Sequence, residues 1–204
     1  MKRKAMMTDA DANTLLLLHG DDFLDSSMYD RKITNIGVTI NANGKLGGCF
    51  YFNGSSYLSL SGIRLTDPFT FECFFKTNSL SGEQTILSFG EGSFQLRTKG
   101  NYIQILSEGV SELLNVCTIL TSTWYHIAAV YASNKMSIYV NGILMGAYSY
   151  NFRKLNYDAL IGVRRTGLVD GGLYEYLSNG YLDEIRVSAI ARWTSNFTPP
   201  TKPY

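Results

Sequence analysis

The chain has 204 residues, with 18 Lys and Arg against 17 Asp and Glu, 45% hydrophobic and 17% charged residues. It is long enough to bury a core without metal or disulfide staples. A formal net charge of +1 excludes long-range steering onto nucleic acid or an anionic membrane, and no run approaches the ~18 apolar residues of a spanning helix.

Residues 1–13 (MKRKAMMTDADAN) lack periodicity and read as a flexible arm, with its basic cluster solvated. The apolar run at 15–18 is too short for a signal-peptide core and follows acidic residues, so no export signal is expected. From residue 14 to 204 the sequence reads as one domain. Short apolar or alternating runs follow one another: TLLLLHG, KITNIGVTI, GGCFYFNG, SYLSLSG, FTFECFFKT, QTILSFG, SFQLRTK, NYIQILSE, LLNVCTIL, WYHIAAVYA, KMSIYVNG, ILMGAYSY, ALIGVRR and GYLDEIRVS. Turn chemistry separates them, including NANG, SLSGEQ, TKGN and SNK. Many short strands at near-regular spacing predict an all-β, antiparallel two-sheet sandwich.

Several alternations are clean. Phe69, Phe71, Cys73 and Phe75 share one face; so do Phe94 and Leu96, and Met136, Ile138 and Val140. After Trp124, the residues His126, Ala128 and Val130 are expected to fill a core. Asn141-Gly142 predicts a tight hairpin. Residues 188–196 (SAIARWTSN) have room for one short helical turn, and 196–204 read as an extended, Pro-rich tail that cannot pair as a central strand. Cys49, Cys73 and Cys117 sit in apolar runs and form no metal-binding spacing, which predicts buried thiols and folding in a reducing cytosol.

The segments LLLLHGDDFLDSS (15–27), GGCFYFNGSSYLSL (47–60), DPFTFECFFKT (67–77), TWYHIAAVY (123–131), MSIYVNGILMG (136–146), LIG (160–162), GYLDEIRVS (180–188) and ARWTSNFTPPTKPY (191–204) occur in a telling order. Together they resemble the laminin-G-like jelly-roll domains of the concanavalin A-like lectin/glucanase superfamily, in the versions carried by bacteriophage tail and other virion proteins. The closing ARWTSNFTPPTKPY is the most specific piece. The resemblance implies a jelly roll, a place in the phage virion after folding in the host cytoplasm, and a non-catalytic module for host carbohydrate. The rival readings are a structural or decoration subunit that contacts other virion proteins or further copies of itself, and a glycoside hydrolase.

The hydrolase reading lacks its carboxylates. Glucanases of this fold need two acids facing each other across a sugar, and no Glu-x-Asp-x-x-Glu run exists. Asp183 and Glu184 are adjacent, so strand alternation predicts opposite faces. Glu72 stands alone in an apolar strand. His19 and His126 are the only candidate bases, and no Gly-x-Ser-x-Gly elbow accompanies them.

The resemblance also implies a structural Ca²⁺ between an early acidic loop and a late Asp. Asp22 and Asp25, with Asp21 nearby, would meet Asp183 and Glu184 if the first and last strands pair. The competing reading makes Asp25 a turn cap and Asp183 a backbone acceptor. Sugar binding calls for an aromatic platform with fixed polar groups. Two places offer it: the segment 164–180, with Asp170, Tyr174, Tyr176 and Asn179, and the polar face of strands 94–106, with Gln95, Arg97, Tyr102 and Gln104. The first could equally be an ordinary exposed loop, the second a solvated face or a subunit contact.

Overall fold

The computed structural model describes residues 11–89, 94–107, 114–149, 158–165 and 172–204. Among these residues there is no helix, and two antiparallel sheets pack face to face, as the alternation predicts. The first sheet has eight strands. From edge to edge they are β13 (Ile143–Ser149), β12 (Lys135–Val140), β11 (Tyr125–Ala132), β6 (Phe69–Thr77), β17 (Ser178–Ser188), β4 (Cys49–Asn53) and β3 (Thr39–Asn41), with β1 (Thr14–Leu18) also paired to β17. The second runs β10 (Leu114–Thr118), β9 (Tyr102–Ser107), β8 (Phe94–Lys99), β7 (Glu83–Ser88), β14 (Ala159–Ile161), β5 (Tyr57–Leu60) and β2 (Ile33–Ile36). A small ribbon joins β15 (Arg164–Arg165) to β16 (Leu173–Tyr174).

The period-two pattern explains the core. Phe69, Phe71, Cys73 and Phe75 of β6 point between the sheets, together with Phe50, Phe52, Met136, Ile138 and Val140. Phe94, Leu96, Ile103 and Ile105 meet them from the second sheet. The first and last strands pair, with Leu18 opposite Ile185 and Leu16 opposite Val187. Asn141 (φ 51°) and Gly142 (φ 78°) form the expected hairpin turn between β12 and β13. A Cβ on Gly142 would collide with the Phe197 carbonyl, so this position needs glycine for space as well as for φ.

One strand faces the other way from expectation. Ile127, Ala129 and Tyr131 of β11 enter the inter-sheet core, whereas His126, Ala128 and Val130 face outward. They are buried all the same, because residues 189–204 cross the outer face of β6, β11 and β12 as a strap. Ala191, Trp193 and Phe197 pack on Ala128, Val130 and Tyr139 to make a second, smaller core. An apolar outward face is thus indistinguishable by alternation from an inward one.

The strap contains no helical turn; it is extended and bent. Thr70 Oγ1 donates to the Ile190 carbonyl at 2.7 Å and accepts from Arg192 N at 3.0 Å. Phe197 N donates to the Gly142 carbonyl and Leu144 N to Asn196 Oδ1. Trp193 stacks on Phe197 with ring centroids 3.7 Å apart. Tyr204 ends the chain buried on the sheet. The amino-terminal side is tied down earlier than expected, since Thr14 N donates to the Asp11 carbonyl and Ala189 N to that of Asn13.

The strap is anchored on Glu72, which is fully buried. Arg192 Nε lies 2.6 Å from Glu72 Oε1, Trp193 Nε1 donates to Oε2 at 2.9 Å, and His126 Nε2 is 3.6 Å away. Burial alone would raise this carboxyl, but the contacts with His126, Arg192 and Trp193 outweigh it and hold it below its ordinary range. A depressed carboxyl contributes stability above its unfolded pKa and loses it as pH falls through the folded one. Glu72→Ala is therefore expected to cost ~3–5 kcal/mol in urea unfolding at neutral pH, because it strands buried cationic and donor groups. The cost should shrink in acid; a loss under ~1 kcal/mol at pH 7 would show that the strap is anchored elsewhere.

Candidate functional site

The outer face of the eight-stranded sheet carries most of the polar chemistry. β17 contains a β-bulge where Asp183 pairs with Phe74 and Arg186 with Glu72, and Glu184 adopts φ 51°. The extra residue resets the alternation. Asp183 and Glu184 therefore both engage groups on the outer face, not on opposite faces as strict alternation predicts. Asp183 Oδ2 accepts from Lys45 N at 2.7 Å and Leu46 N at 2.8 Å. Glu184 accepts from Tyr204 N and bonds His19 Nδ1 at 2.9 Å. Burial lowers the His19 imidazole, but its bond to Glu184 outweighs this and raises it.

The acidic residues proposed as calcium ligands are largely engaged by the protein, with Asp183 Oδ1 buried and without a hydrogen-bond partner among the described residues. Asp25 is buried and accepts from Leu17 N, Ser27 N, Ser27 Oγ and Arg31 N, at 2.8–3.0 Å. Exposed Asp22 caps Leu24 N, and Asp21 accepts from Gly48 N at 2.6 Å. Calcium takes about six to eight oxygens, and this donor set does not fit one. Among the described residues no group of three or more His, Cys, Asp or Glu side chains could hold a metal ion.

The second sheet also departs from expectation. Gln95, Arg97 and Gln104 do lie on its outer side, but they are buried, with Arg97 only 3% exposed. Arg97 donates to Gln104 Oε1 at 3.1 Å, Glu83 Oε2 at 2.7 Å and Glu175 Oε2 at 3.0 Å, and Gln104 donates onward to Asn115. The Gln95 amide is buried without a hydrogen-bond partner among the described residues. Only Tyr102, 41% exposed, stands open. Tyr176 is half-buried beside Tyr57, at 6.3 Å between centroids. Asn179 lies on the other sheet, bonded to Asn78. Tyr174 is placed on β16, and Asp170 lies outside the described residues. Glu175, which no motif signalled, joins the 164–180 segment to the strand face through Arg97.

Glu83 and Glu175 are a carboxylate pair, yet one guanidinium clamps both, while Lys99 and Arg164 hold their other oxygens at 2.8 and 3.5 Å. The Glu83 carboxyl is lowered, first by its bond to Lys99. A glycosidase general acid needs the opposite shift.

A hollow lies on the first sheet, between its outer face and the strap. This cleft of about 440 Å³ has Phe74 and His126 as its floor. Trp124 forms one wall, Thr198–Thr201 the other, and Lys45, Leu46 and Asn141 complete the rim. Trp124 is half-buried and meets Tyr181 edge-on at 6.5 Å, and Tyr181 continues to Tyr51 at 5.1 Å. Lys76 Nζ sits 4.8 Å from the Trp124 ring centroid and 4.4 Å from that of Tyr181. Sequence reasoning took Trp124 as the start of a core strand and passed over Lys45 and Lys76. The parity of β11 groups Trp124, His126 and Ala128 on one face, but both faces of the strand are apolar, so alternation does not mark that face as the outer one.

Two measurements check this description. Excess EDTA is expected to leave the melting temperature unchanged, whereas a drop of several degrees would reveal a bound cation. The Asp183 carboxyl is raised to about 6, chiefly by burial. Its ionised form is disfavoured by folding, so stability is greatest below the ordinary carboxylate pKa and declines as pH rises through about 6. Asp183→Asn should remove roughly 2–3 kcal/mol of that decline between pH 4 and 7.5. Parallel pH profiles for both proteins would contradict it.

Comparison with known proteins completes the picture. The Laminin_G_3 profile, described as the concanavalin A-like lectin/glucanases superfamily, matches residues 52–194. No curated protein matches the sequence. Among solved structures, the chain resembles one from a study of botulinum neurotoxin type C, whose cell entry depends on two ganglioside molecules. That likeness has a TM-score of 0.68 at 13% identity, over 94% of this chain and 50% of that one. The binding domain of botulinum neurotoxin DC in complex with SialylT gives 0.66 at 12% identity, over 91% and 48%. The same domain in complex with rat synaptotagmin II gives 0.65 at 13% identity, over 91% and 49%. The chain spans about half the length of these structures, and at this identity the likeness is one of fold. With the profile covering well over half of its residues, the chain belongs to the Laminin_G_3 family of the concanavalin A-like lectin/glucanases superfamily.

Proposed function

We propose that this protein is a non-catalytic carbohydrate-binding module, carried on a bacteriophage tail or capsid, that engages glycans on the host surface. The observation that carries the binding reading is the cleft at Trp124. It joins the half-buried Trp124 indole with Phe74 and His126, and it is rimmed by Asn141, Lys45 and Thr201. Sugar recognition uses this combination, since the aromatic ring covers C–H groups while rim donors and acceptors meet hydroxyls. Both walls are held by the fold, one by β11 and the other by the strap, so little ordering cost attends binding. The structural relatives include toxin binding domains studied with gangliosides and SialylT, which fits the reading.

The non-catalytic part rests on the acids. Glu72, Glu184 and Asp183 are buried and engaged by protein groups, and Glu83 and Glu175 are clamped by Arg97. The virion setting rests on the resemblance of the closing ARWTSNFTPPTKPY segment to phage-associated domains. A second reading has its own observation. Ile143, Leu144 and Met145 are exposed on β13, an edge strand of the eight-stranded sheet. In that reading this edge seats the domain on other virion subunits or on a second copy.

A glycan array followed by titration separates the sites. Trp124→Ala is expected to weaken glycan binding at least tenfold, as loss of a stacking platform costs over ~1.4 kcal/mol, while Tyr102→Ala and Tyr176→Ala leave it within twofold. Loss with the tyrosine variants instead would move the site to the second sheet. Absence of any glycan or host-cell binding by the intact protein, with self-association lost on Leu144→Glu, would establish the structural reading.

A further inference from the structure

The charge around the Trp124 cleft narrows its ligand class, an inference that rests on the carbohydrate reading above. Lys45 is exposed on the rim, and Lys76, outside the lining of the cleft, has its ammonium 4.8 Å from the Trp124 ring centroid and 4.4 Å from that of Tyr181. Neither ammonium has a carboxylate partner within 4 Å among the described residues. The acids beneath the cleft are engaged by protein groups, and Asp21 accepts from Gly48 N beside the 45–46 turn. Glu72, below the strap, faces Arg192 and His126. Glu184 faces His19 and the Tyr204 amide. Asp183 lies under the 45–46 turn, accepting both of its amides. The lining of the cleft itself holds Lys45 and no carboxylate.

The strap extends this field. A second hollow of about 320 Å³ shares Thr198, Pro200 and Thr201 with the cleft and carries Lys202 and Arg192 on its far side. The two hollows thus flank one ridge, the 198–201 turn. A ligand that crosses the ridge would meet Lys45 and Lys76 on one side and Lys202 on the other.

We propose that the Trp124 cleft binds anionic glycans, the sugar ring lying on Trp124 and its carboxylate or sulfate facing Lys45 and Lys76, with longer acidic chains crossing the strap toward Lys202. The indole supplies the same apolar contact to neutral and acidic sugars. Discrimination between them comes from the unpaired lysines, which gain a partner only when the sugar carries a negative charge. Because both lysines are surface groups, the attraction is salt-sensitive.

The test uses the intact chain and defined probes: sialyllactose, galacturonate oligosaccharides and a heparin-derived tetrasaccharide, with lactose and cellotetraose as neutral controls. Titration at low salt is expected to show at least one acidic probe binding tenfold or more tighter than the neutral sugars. That preference should fall severalfold between 50 and 500 mM NaCl. The double variant Lys45→Met, Lys76→Met should keep the melting temperature yet reduce the acidic probe to the level of its neutral counterpart; Lys202→Met should weaken only the longer probes. Preference among sialyllactose, uronate and sulfate then identifies the source of the charge. Neutral sugars binding as tightly as acidic ones, with loss on Trp124→Ala, would overturn the anionic assignment while leaving the carbohydrate reading intact. Failure of every probe, acidic and neutral, would overturn both.

Discussion

A carboxylate buried in the middle of a sheet is the constraint on which this structure turns. Glu72 occupies an outward position of β6, where solvent would be expected, and the strap covers it. An isolated buried charge is costly, so the strap must deliver Arg192 and the Trp193 indole N–H to it. Once those groups are placed, Trp193, Phe197 and Tyr204 follow, and the prolines between them form a wall over the sheet. The cleft exists because the wall stops short of Trp124. The shape of the cleft is a by-product of how the chain solves its own electrostatic problem.

The same region shows how one extra residue redistributes function. Without the bulge in β17, Asp183 and Glu184 would lie on opposite faces, one of them in the inter-sheet core. With it, Asp183 fixes the 45–46 turn that carries Lys45 to the rim, and Glu184 fixes the amide of Tyr204 at the far end of the strap. The two carboxylates look like a catalytic pair in sequence and act as two separate anchors in space. The closing segment has a comparable double role: it packs the second core and supplies one wall of the cleft.

The fold was legible because inter-sheet positions obey a period of two that β6, β8 and β12 follow closely. The pairing of β1 with β17 was also foreseeable from the resemblance. The site was less legible, for definite reasons. His126, Ala128 and Val130 are apolar or aromatic enough to read as core, and the alternate set of Ile127, Ala129 and Tyr131 is equally apolar, so the pattern does not tell which set faces the strap. Gln95, Arg97 and Gln104 are polar enough to read as an open face, yet Arg97 is neutralised by Glu83 and by Glu175, which lies 78 residues away. Long-range pairing of that kind leaves no local pattern. Trp124, Lys45 and Lys76 come from three distant segments, so nothing in any one of them announces a shared surface.

On the proposed reading, ligands meet this protein on the outer face of the eight-stranded sheet, between Trp124 and the strap. A crystal structure with a bound acidic oligosaccharide is the sharpest test. The expected result is a sugar ring against the Trp124 indole, with its anionic group toward Lys45 and Lys76. A sugar seated instead beside Tyr102 on the seven-stranded sheet would contradict it.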